Sequence, residues 1–191
     1  NHIVRLNNTD GTLDATWNPN PNDFVTTIAL NGSDIYVGGN FTTIGGQTRK
    51  GIAKLNNTNG NSDATWNANA SSSGVQTIVI SGSDIYAGGD FTSIGGQTRN
   101  RIAKLNNTNG NADATWNPNA SGTVRTIFVS GSDIYAGGSF FTIGGQSRNR
   151  IAKLSTGTGA ADATWNPGAN DIVNCMVVSG SDLLVGGSFT T

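Results

Sequence analysis

The chain has 191 residues with a formal net charge of −1, and only 12% of its residues are charged. Its Lys and Arg residues are scattered along the sequence, which argues against a nucleic-acid-binding protein. No stretch approaches the ~20 consecutive apolar residues of a membrane-spanning helix, so no transmembrane segment is expected. Gly, Asn, Thr and Ser carry most of the polar character and disfavour helix interiors, which predicts an all-β protein.

The first predicted element is a strand over residues 2–7 (HIVRLN), followed by the turn NNTDGTLD at 7–14. This turn spaces oxygen ligands around a glycine, as a calcium loop does. Its later copies replace Asp10 by Asn or Thr, and only the carboxylate of Asp14 recurs. An Asp-capped β-turn explains the segment better than a metal site, so we expect no metal and no cofactor.

The sequence then repeats with a period of about 49 residues, which is the signature of a repeat architecture. The four tryptophans are spaced 49, 50 and 49 residues apart, and Gly-Gly pairs and Gly-Ser-Asp turns recur in step with them. The markers that we expect to be structural are Trp17, Trp66, Trp116, Trp165 and the turn aspartates Asp34, Asp84, Asp133 and Asp182.

One repeat contains four predicted strands. The strand at 75–81 is apolar on both faces, as an inner strand is, and the strand at 84–92 carries the Gly-Gly pair, where neighbouring backbone can approach closely. After a loop at 93–100 follow a more exposed strand at 101–106 and an outer strand at 113–117. Four short antiparallel strands per repeat describe one blade of a β-propeller. We expect the tryptophans to fill the space between blades together with Tyr36, Tyr86, Tyr135 and Leu184.

The chain therefore forms a single repeat domain, 1–191, whose first and last blades are incomplete. We expect a half-blade at 1–17, full blades at about 24–66, 74–116 and 123–165, and a half-blade at 172–191. N-terminal strands complete the last blade, two plus two, and so remove exposed sheet edges. Pairing within one chain gives a four-bladed ring, and pairing between chains gives a larger ring or a filament. A slice of a longer array is the third alternative.

A longer pattern recurs through nearly four copies: G-G-x-F-T-x-I-G-G-Q-[ST]-R-N-x-I-A-[KR]-L-N, followed by N-x-[DN]-G-x-x-D-x-[TS]-[FW]-N. In the second full copy its carriers are Gly88, Gly89, Phe91, Thr92, Gly95, Gly96, Arg99, Asn100, Ile102, Ala103, Leu105, Asp113 and Trp116. Over essentially the whole chain this resembles the delta-60 repeat family of β-propeller-like bacterial proteins. The resemblance implies a propeller in a secreted or surface protein and implies no activity. A fainter likeness to kelch repeats lacks the kelch Tyr/Trp spacing.

The loop between the second and third strands carries a Gln and an Arg in three copies. We expect it on the same face as the Asn-rich loop after each Trp, where it can hydrogen-bond carbohydrate hydroxyls or another protein. The alternative, favoured by the near-identity of the copies, is that these side chains hold the loop of the adjacent blade. The candidate ligand-binding residues are Gln47, Arg49, Gln97, Arg99, Gln146 and Arg148.

No catalytic group is apparent in the sequence. Catalytic carboxylate pairs need unlike environments, whereas the turn aspartates occupy like positions in separate blades. His2 and Cys175 are the only residues of their types, so no Ser-His-Asp, Cys-His or metal-ligand cluster can be assembled. We expect a non-enzymatic, extracellular or cell-surface structural module that binds protein, either itself or other surface components. The alternative is a carbohydrate-binding propeller.

Overall fold

The computed structural model describes residues 2–72 and 74–191, and every regular element within them is a β-strand. The first complete repeat contains β1 (Val25–Asn31), β2 (Asp34–Gly39), β3 (Thr43–Ile44), β4 (Gln47–Thr48) and β5 (Ile52–Asn56). The second contains β6 (Val75–Ser81), β7 (Asp84–Gly89), β8 (Ser93–Ile94), β9 (Gln97–Thr98) and β10 (Ile102–Asn106). The third contains β11 (Val124–Ser130), β12 (Asp133–Gly138), β13 (Thr142–Ile143), β14 (Gln146–Ser147) and β15 (Ile151–Ser155), and the chain continues with β16 (Val173–Ser179) and β17 (Asp182–Gly187). Asn1, the first residue of the predicted half-blade 1–17, lies outside the described residues.

Each complete repeat forms one antiparallel sheet with its second strand in the middle. The strand orders are β1-β2-β5, β6-β7-β10 and β11-β12-β15. A fourth, outermost segment joins each sheet through one bridged residue. These bridges pair Leu55 with Ser62, Leu105 with Ala112 and Leu154 with Ala161. The predicted all-β fold with repeated four-stranded units is confirmed.

The outermost strand is shorter than predicted, and the predicted range 113–117 is wrong. Only Ala112 pairs with the sheet, and the chain turns away directly after it. The Asp113 carboxylate accepts hydrogen bonds from the N–H groups of Thr115 and Trp116 at 2.9 and 3.0 Å. A side chain that satisfies these N–H groups competes with a sheet ladder, which ends the strand.

The predicted loop at 93–100 contains a hairpin instead. Strands β8 and β9 pair through Ser93 with Thr98 and Ile94 with Gln97. Gly95 and Gly96 lie between them with φ of 61° and 76°. Two consecutive positive φ values give the tight turn whose twist matches a β-hairpin, and glycine adopts them without steric strain. This second Gly-Gly pair, distinct from the pair in the second strand, therefore closes a small hairpin. The hairpin recurs in each complete repeat.

The hydrophobic core lies between consecutive blades. Trp66 is fully buried and meets Tyr36 edge-to-face, with ring centroids 5.4 Å apart. Both belong to a cluster that includes Val75 and Ile85 of the next blade. Close packing across this boundary requires glycine in the second strand. A Cβ at Gly88, for example, would lie 2.8 Å from Cγ1 of Val124. The prediction that Trp and Tyr fill the space between blades is confirmed for Tyr36 with Trp66 and for Tyr86 with Trp116, whereas Tyr135 and Trp165 of the third blade are only partly buried.

The two incomplete blades lie at the two ends of this row. In the described residues β17 pairs with β16 alone, and residues 2–7 form no strand, since only Leu6 is bridged, to Leu13. Ile3 packs into the cluster of the first complete blade. Strands β16 and β17 pack instead on Ile151 of the third. Within residues 2–72 and 74–191 no ladder joins the two ends, so each half-blade keeps an unpaired edge.

Candidate functional site

A repeated ionic bridge fixes the edge of every complete blade. Lys54 Nζ lies 2.9 Å from Asp34 Oδ2 and 3.6 Å from Asp63 Oδ2. The Lys therefore joins the turn between the first two strands to the turn after the third. The same bridge recurs with Lys104 between Asp84 and Asp113, and with Lys153 between Asp133 and Asp162. The aspartates predicted to be structural have this role in all three complete blades.

The carboxylate that recurs after each third strand caps a turn. Asp162 accepts hydrogen bonds from the N–H groups of Thr164 and Trp165, and these lower its pKa from 3.8 to about 2. In the N-terminal copy, the Thr16 hydroxyl and Arg5 hold the pKa of Asp14 well below its usual range. No group of three or more His, Cys, Asp or Glu side chains arranged to hold a metal occurs in residues 2–72 and 74–191.

The recurring arginines are buried, with 4–5% of their surface exposed. Arg49 donates from Nη1 to the Thr48 carbonyl at 2.9 Å and from Nη2 to the Asp63 carbonyl at 2.8 Å. Arg49 Nη2 also donates to Gln47 Oε1 at 2.6 Å. The guanidinium thus holds the small hairpin against a turn of its own blade, and the expectation that it holds the adjacent blade is wrong. The Nε of Arg49 is buried without a partner, as in the copies Arg99 and Arg148.

Ligand binding at the predicted Gln and Arg residues stays a prediction, and the geometry narrows it to the glutamines. Gln97 and Gln146 are exposed, and Gln47 and Gln146 each line a groove. One groove of about 500 Å³ lies between residues 117–119 and 142–147. A second of about 510 Å³ lies between residues 18–20 and 43–48. Asn, Gln and Pro line both, so the grooves offer amide hydrogen bonds rather than a catalytic constellation.

The N-terminal half-blade, residues 2–17, lacks the partner strand that a complete blade has. Arg5 occupies the position of the bridging lysine, and its Nη2 lies 2.5 Å from Asp14 Oδ2. Its guanidinium also lies over the Trp17 ring, 5.8 Å from the centroid. Arg5 therefore has one carboxylate, whereas Lys54 has two. Val4 is 49% exposed, although Ala53 at the same place in a complete blade is fully buried.

The C-terminal half-blade, residues 172–191, lacks the matching third strand. Among the described residues Asp182 has no cation within ion-pair distance. Leu184 is 56% exposed, whereas Tyr36 at the same place in a complete blade is fully buried. A Cβ at Gly186 would meet only Sγ of its own Cys175, whereas those at Gly38, Gly88 and Gly137 would meet a valine of the next blade.

The indole N–H groups of the tryptophans form a repeated hydrogen bond that is missing at the C-terminal half-blade. Trp17, Trp66 and Trp116 each donate to a main-chain carbonyl of the following blade. The acceptors are Asn56 at 3.3 Å, Asn106 at 3.0 Å and Ser155 at 3.0 Å. Trp165 precedes the C-terminal half-blade, where the matching segment is missing. Its Nε1 has no acceptor in the part of the chain that the structure describes, and its side chain is only half-buried.

An open groove, here called the N-terminal groove, lies between residues 2–4 and residues 25–28 and has a volume of about 580 Å³. Ile28 is 54% exposed there, whereas its copies Ile78 and Ile127 are each 5% exposed. Ile78 is covered by the first strand of the preceding blade, where its N–H donates to Thr27 Oγ1 at 3.4 Å. The N-terminal groove is thus the space that a preceding pair of strands fills elsewhere in the molecule.

Sequence reasoning missed Arg5 and treated Asp182 only as a turn residue. The signal was present, because the repeat places Arg5 at the position of Lys54 and Asp182 at that of Asp34. That the residues at these two positions form one ionic bridge in a complete blade becomes visible only in the structure, where Lys54 meets Asp34.

A family model with the description "Domain of unknown function (DUF5122) beta-propeller" matches residues 34–65, 78–115 and 133–164, which together make up more than half of the chain. Each matched segment begins within the first two strands of a repeat and ends near its Trp. The match confirms the resemblance at the level of a β-propeller family, while the delta-60 name stays a prediction. No curated protein matches the chain.

Among solved structures, the chain is similar to the crystal structure of BamB from Moraxella catarrhalis, with a TM-score of 0.56 and 20% sequence identity. The similarity covers 92% of this chain and 47% of that one, so the chain spans about half the length of that structure. At this identity the likeness concerns the fold, and it agrees with the row of blades described above. No helix in the described residues is long and apolar enough to cross a membrane.

Proposed function

We propose, on the premise that the chain belongs to the DUF5122 beta-propeller family, that it is a non-enzymatic structural module that binds protein through its two incomplete blades. One observation carries the proposal: each half-blade ends in an unpaired strand edge with exposed apolar side chains beside it. Val4 and Leu6 are 49% and 55% exposed at one edge, and Leu184 is 56% exposed at the other.

Unpaired edges of this kind are templates for strand addition. A row of free N–H and C=O groups pairs with an extended segment of another chain, and the flanking apolar side chains give specificity. The complete blades show how much burial such pairing provides, because Leu55 and Ala53 at the equivalent positions are 1% and 0% exposed. The two edges are therefore the surfaces that we propose to bind an extended segment of protein.

The charged groups support a structural role rather than catalysis. Each lysine that lies on a blade is held between two aspartates, and each recurring arginine is held by main-chain carbonyls. These groups have fixed partners in repeated and equivalent surroundings, whereas an acid–base pair of catalytic groups needs unlike surroundings. We place the module outside the cell or at the cell surface, because its surface is rich in uncharged Asn, Thr and Ser. Labelling of intact producing cells with an antibody against the chain tests this location.

The native mass of the chain over a range of concentrations tests the binding role. We expect species larger than the 19.6 kDa monomer that grow with concentration. Val4→Asp places a charge on the edge and should leave a folded monomer, since a buried unpaired charge opposes pairing. Phe141→Asp is the matched control, because Phe141 is 55% exposed and belongs to a complete blade rather than to either half-blade. A monomer at all concentrations that binds no partner chain would overturn the proposal.

A second candidate function, carbohydrate binding, rests on the polar grooves between blades. Gln146 lines one groove and Gln47 the equivalent one, so a repeated ligand would meet the same amides at each. A glycan screen should then show binding that Gln146→Ala weakens. Arg148→Ala is unsuitable as a test, because it would remove buried hydrogen bonds and unsettle the blade. Glycan binding unaffected by Gln146→Ala and Gln47→Ala would argue against this candidate.

A further inference from the structure

We infer that the third complete blade has a binding site for an acidic sugar, formed by Phe141, Arg150, Ser121 and Asn149. The site belongs to a complete blade, so it is separate from the protein-binding role proposed for the half-blades. The inference rests on the second candidate function, carbohydrate binding, and specifies its ligand class and its residues. In the second blade the polar groups at the same positions have partners within the chain, and in the third blade they do not.

Arg150 is a cation without a carboxylate partner. In the second blade the equivalent Arg101 has its Nε 3.8 Å from Asp90 Oδ1. The repeat places Ser139 at the position of Asp90, and in residues 2–72 and 74–191 no carboxylate lies within ion-pair distance of Arg150. The Nε of Arg150 is buried and has no hydrogen-bond partner in the same part of the chain. A carboxylate of a ligand can therefore take the place that Asp90 has in the second blade, where a charged hydrogen bond is strong.

The main chain fixes the orientation of this guanidinium. Arg150 donates from Nη1 to the Ala169 carbonyl at 3.1 Å, just as Arg101 donates to the Ala120 carbonyl at 3.0 Å. Arg150 has a φ of 63°, a conformation that is costly for a residue with a side chain, and the first blade has Gly51 at this position. The guanidinium is therefore held in place before a ligand arrives, which reduces the entropy cost of binding.

The carboxylate in the loop after Trp165 does not neutralise Arg150. Asp171 accepts a hydrogen bond from the N–H of Ile172 at 2.7 Å and forms no ion pair with Arg150. The positive charge of Arg150 is therefore available to a ligand.

An exposed aromatic ring lies beside this guanidinium. Phe141 is 55% exposed, and Cζ of Arg150 lies 4.7 Å from the centroid of its ring. The other copies have threonine at this position, as Thr42, Thr92 and Thr190, so the ring is specific to the third blade. The negative face of an aromatic ring attracts the weakly positive C–H groups of a sugar ring. The ring and the guanidinium together match a sugar that carries a carboxylate.

The replacement of threonine by Phe141 also releases a hydroxyl group. In the second blade Ser71 Oγ lies 3.1 Å from Thr92 Oγ1, so the two hydroxyls share a hydrogen bond. In the third blade Ser121 Oγ accepts hydrogen bonds from the N–H groups of Phe141 and Thr142 at 2.9 and 3.0 Å. The O–H of Ser121 has no acceptor among the described residues, so it can donate to a sugar hydroxyl that lies against the Phe141 ring.

An amide next to Arg150 lacks its partner as well. In the second blade Asn100 Nδ2 donates to Asn119 Oδ1 at 2.6 Å. The repeat places Asn149 at the position of Asn100 and Gly168 at that of Asn119. Asn149 is exposed, and its side chain has no partner in the part of the chain that the structure describes. Its amide offers a donor and an acceptor for further sugar hydroxyls.

Calorimetric titration of the chain with trigalacturonate, a sugar with a carboxylate on each ring, tests the inference. Its methyl ester is the matched ligand without charge. We expect a single site for the acid and about tenfold weaker binding of the ester, because the ester forms no charged hydrogen bond with Arg150.

Two variants test whether the predicted residues form the site. Ser139→Asp gives Arg150 the internal carboxylate that Arg101 has and should weaken binding of the acid roughly tenfold. Phe141→Thr removes the ring and should also weaken it roughly tenfold. Each new residue occurs at the same position in another copy, so the fold should be retained, and the thermal midpoint checks this.

The second blade offers a test by gain of binding. Asp90→Ser with Thr92→Phe gives this blade the residues of the third, and the titration should then show two sites per chain instead of one. Asp90→Ser alone is the matched control, because it removes the carboxylate beside Arg101 without supplying a ring, and it should leave one site.

The outcomes separate this site from the proposed functions. Equal binding of the acid and its ester would overturn the carboxylate as the recognised group, and tighter binding of benzoate than of trigalacturonate would overturn the sugar. Binding of the acid that neither Ser139→Asp nor Phe141→Thr weakens would overturn the site and leave carbohydrate binding standing. Failure of the chain to bind any sugar would overturn both this inference and the second candidate function. The protein-binding role would be unaffected, because the native mass tests it separately.

Discussion

In the second complete blade, Lys104 lies 2.9 Å from Asp84 and 3.8 Å from Asp113, while in the C-terminal half-blade Asp182 has no cation among the described residues. The two regions have nearly the same sequence pattern, and they differ in whether a third strand is present. The first two strands of a blade therefore do not form its characteristic contacts by themselves. Its buried tryptophan, its ionic bridge and its covered inner strand all depend on a segment that lies about half a repeat away.

The comparison also gives the physical basis of the binding role proposed for the two half-blades. Each blade buries its faces against its neighbours, so stability is approximately a sum of repeat and interface contributions. The interior repeats have both neighbours and are satisfied. Each terminal half-blade has only one neighbouring blade. The contacts that it lacks are those that the interior blades form, namely an ionic bridge, an indole hydrogen bond and apolar packing.

The largest expected effect contrasts tryptophans of the two regions. Trp116 is fully buried between complete blades and its Nε1 is hydrogen-bonded, so Trp116→Ala should lower the free energy of unfolding by about 3–5 kcal/mol. Trp165 is half-buried with no acceptor, and Trp165→Ala should lower it by about 1–2 kcal/mol in the monomer. Denaturant titration followed by far-UV circular dichroism measures both. Equal losses would mean that the C-terminal half-blade is as well packed as a complete one.

The next effect tests the buried guanidinium of a complete blade. Arg99→Met removes the hydrogen bonds to the Thr98 and Asp113 carbonyls and leaves two part-buried acceptors without this donor, which should reduce stability by about 2 kcal/mol. Arg125→Met is the control, since Arg125 is exposed and its Nη1 only reaches Asn174 of the C-terminal half-blade, at 3.1 Å. It should change stability by less than about 0.5 kcal/mol. Denaturant midpoints of the two variants decide the point.

A smaller effect sharpens the comparison of the ionic bridges. Lys104→Met leaves Asp84 and Asp113 without their cation and should destabilise the monomer by about 1 kcal/mol, because the pairs are partly exposed. Asp182→Asn has no bridge to lose within its chain and should change monomer stability by less than about 0.5 kcal/mol. Thermal unfolding at a concentration that keeps the protein monomeric compares them. A larger loss for Asp182→Asn would mean that its carboxylate is already engaged within the chain.

The elements with a strong sequence signal were predicted well. The inner strand at 75–81 coincides with β6, and the strand at 101–106 differs from β10 by one residue. The outer strand at 113–117 was wrong because Asp113 satisfies its local N–H groups through a side chain, a competition that strand propensity does not describe. The hairpin β8–β9 was read as a loop because its strands have two residues each, too few for an alternating pattern.

The residues of the two half-blades were harder to predict, because what distinguishes them is a contact that they lack and that the complete blades have. The recurring Arg and Gln residues attracted attention as candidate ligands, yet the arginines are buried and bound to carbonyls of their own blade. Arg5 and Asp182 attracted none, since each looks like an ordinary member of its repeat. Only the distances in the complete blades reveal that the residues at these two positions form an ionic bridge there.

The smallest expected effect is a dependence of stability on acid that comes from the caps of the turns. The folded pKa of Asp162 is lowered from 3.8 to about 2 by hydrogen bonds from Thr164 and Trp165, so folding favours the carboxylate. The stabilisation is therefore fully present above about pH 4 and is lost as the pH falls toward 2. Asp162→Asn should reduce the fall in thermal midpoint between pH 5 and pH 2, and should not abolish it. The capping carboxylates Asp63 and Asp113, whose pKa values are also lowered, remain in place. If Asp162→Asn left the fall in thermal midpoint between pH 5 and pH 2 as large as in the unchanged chain, the turn cap would not be a source of the acid dependence.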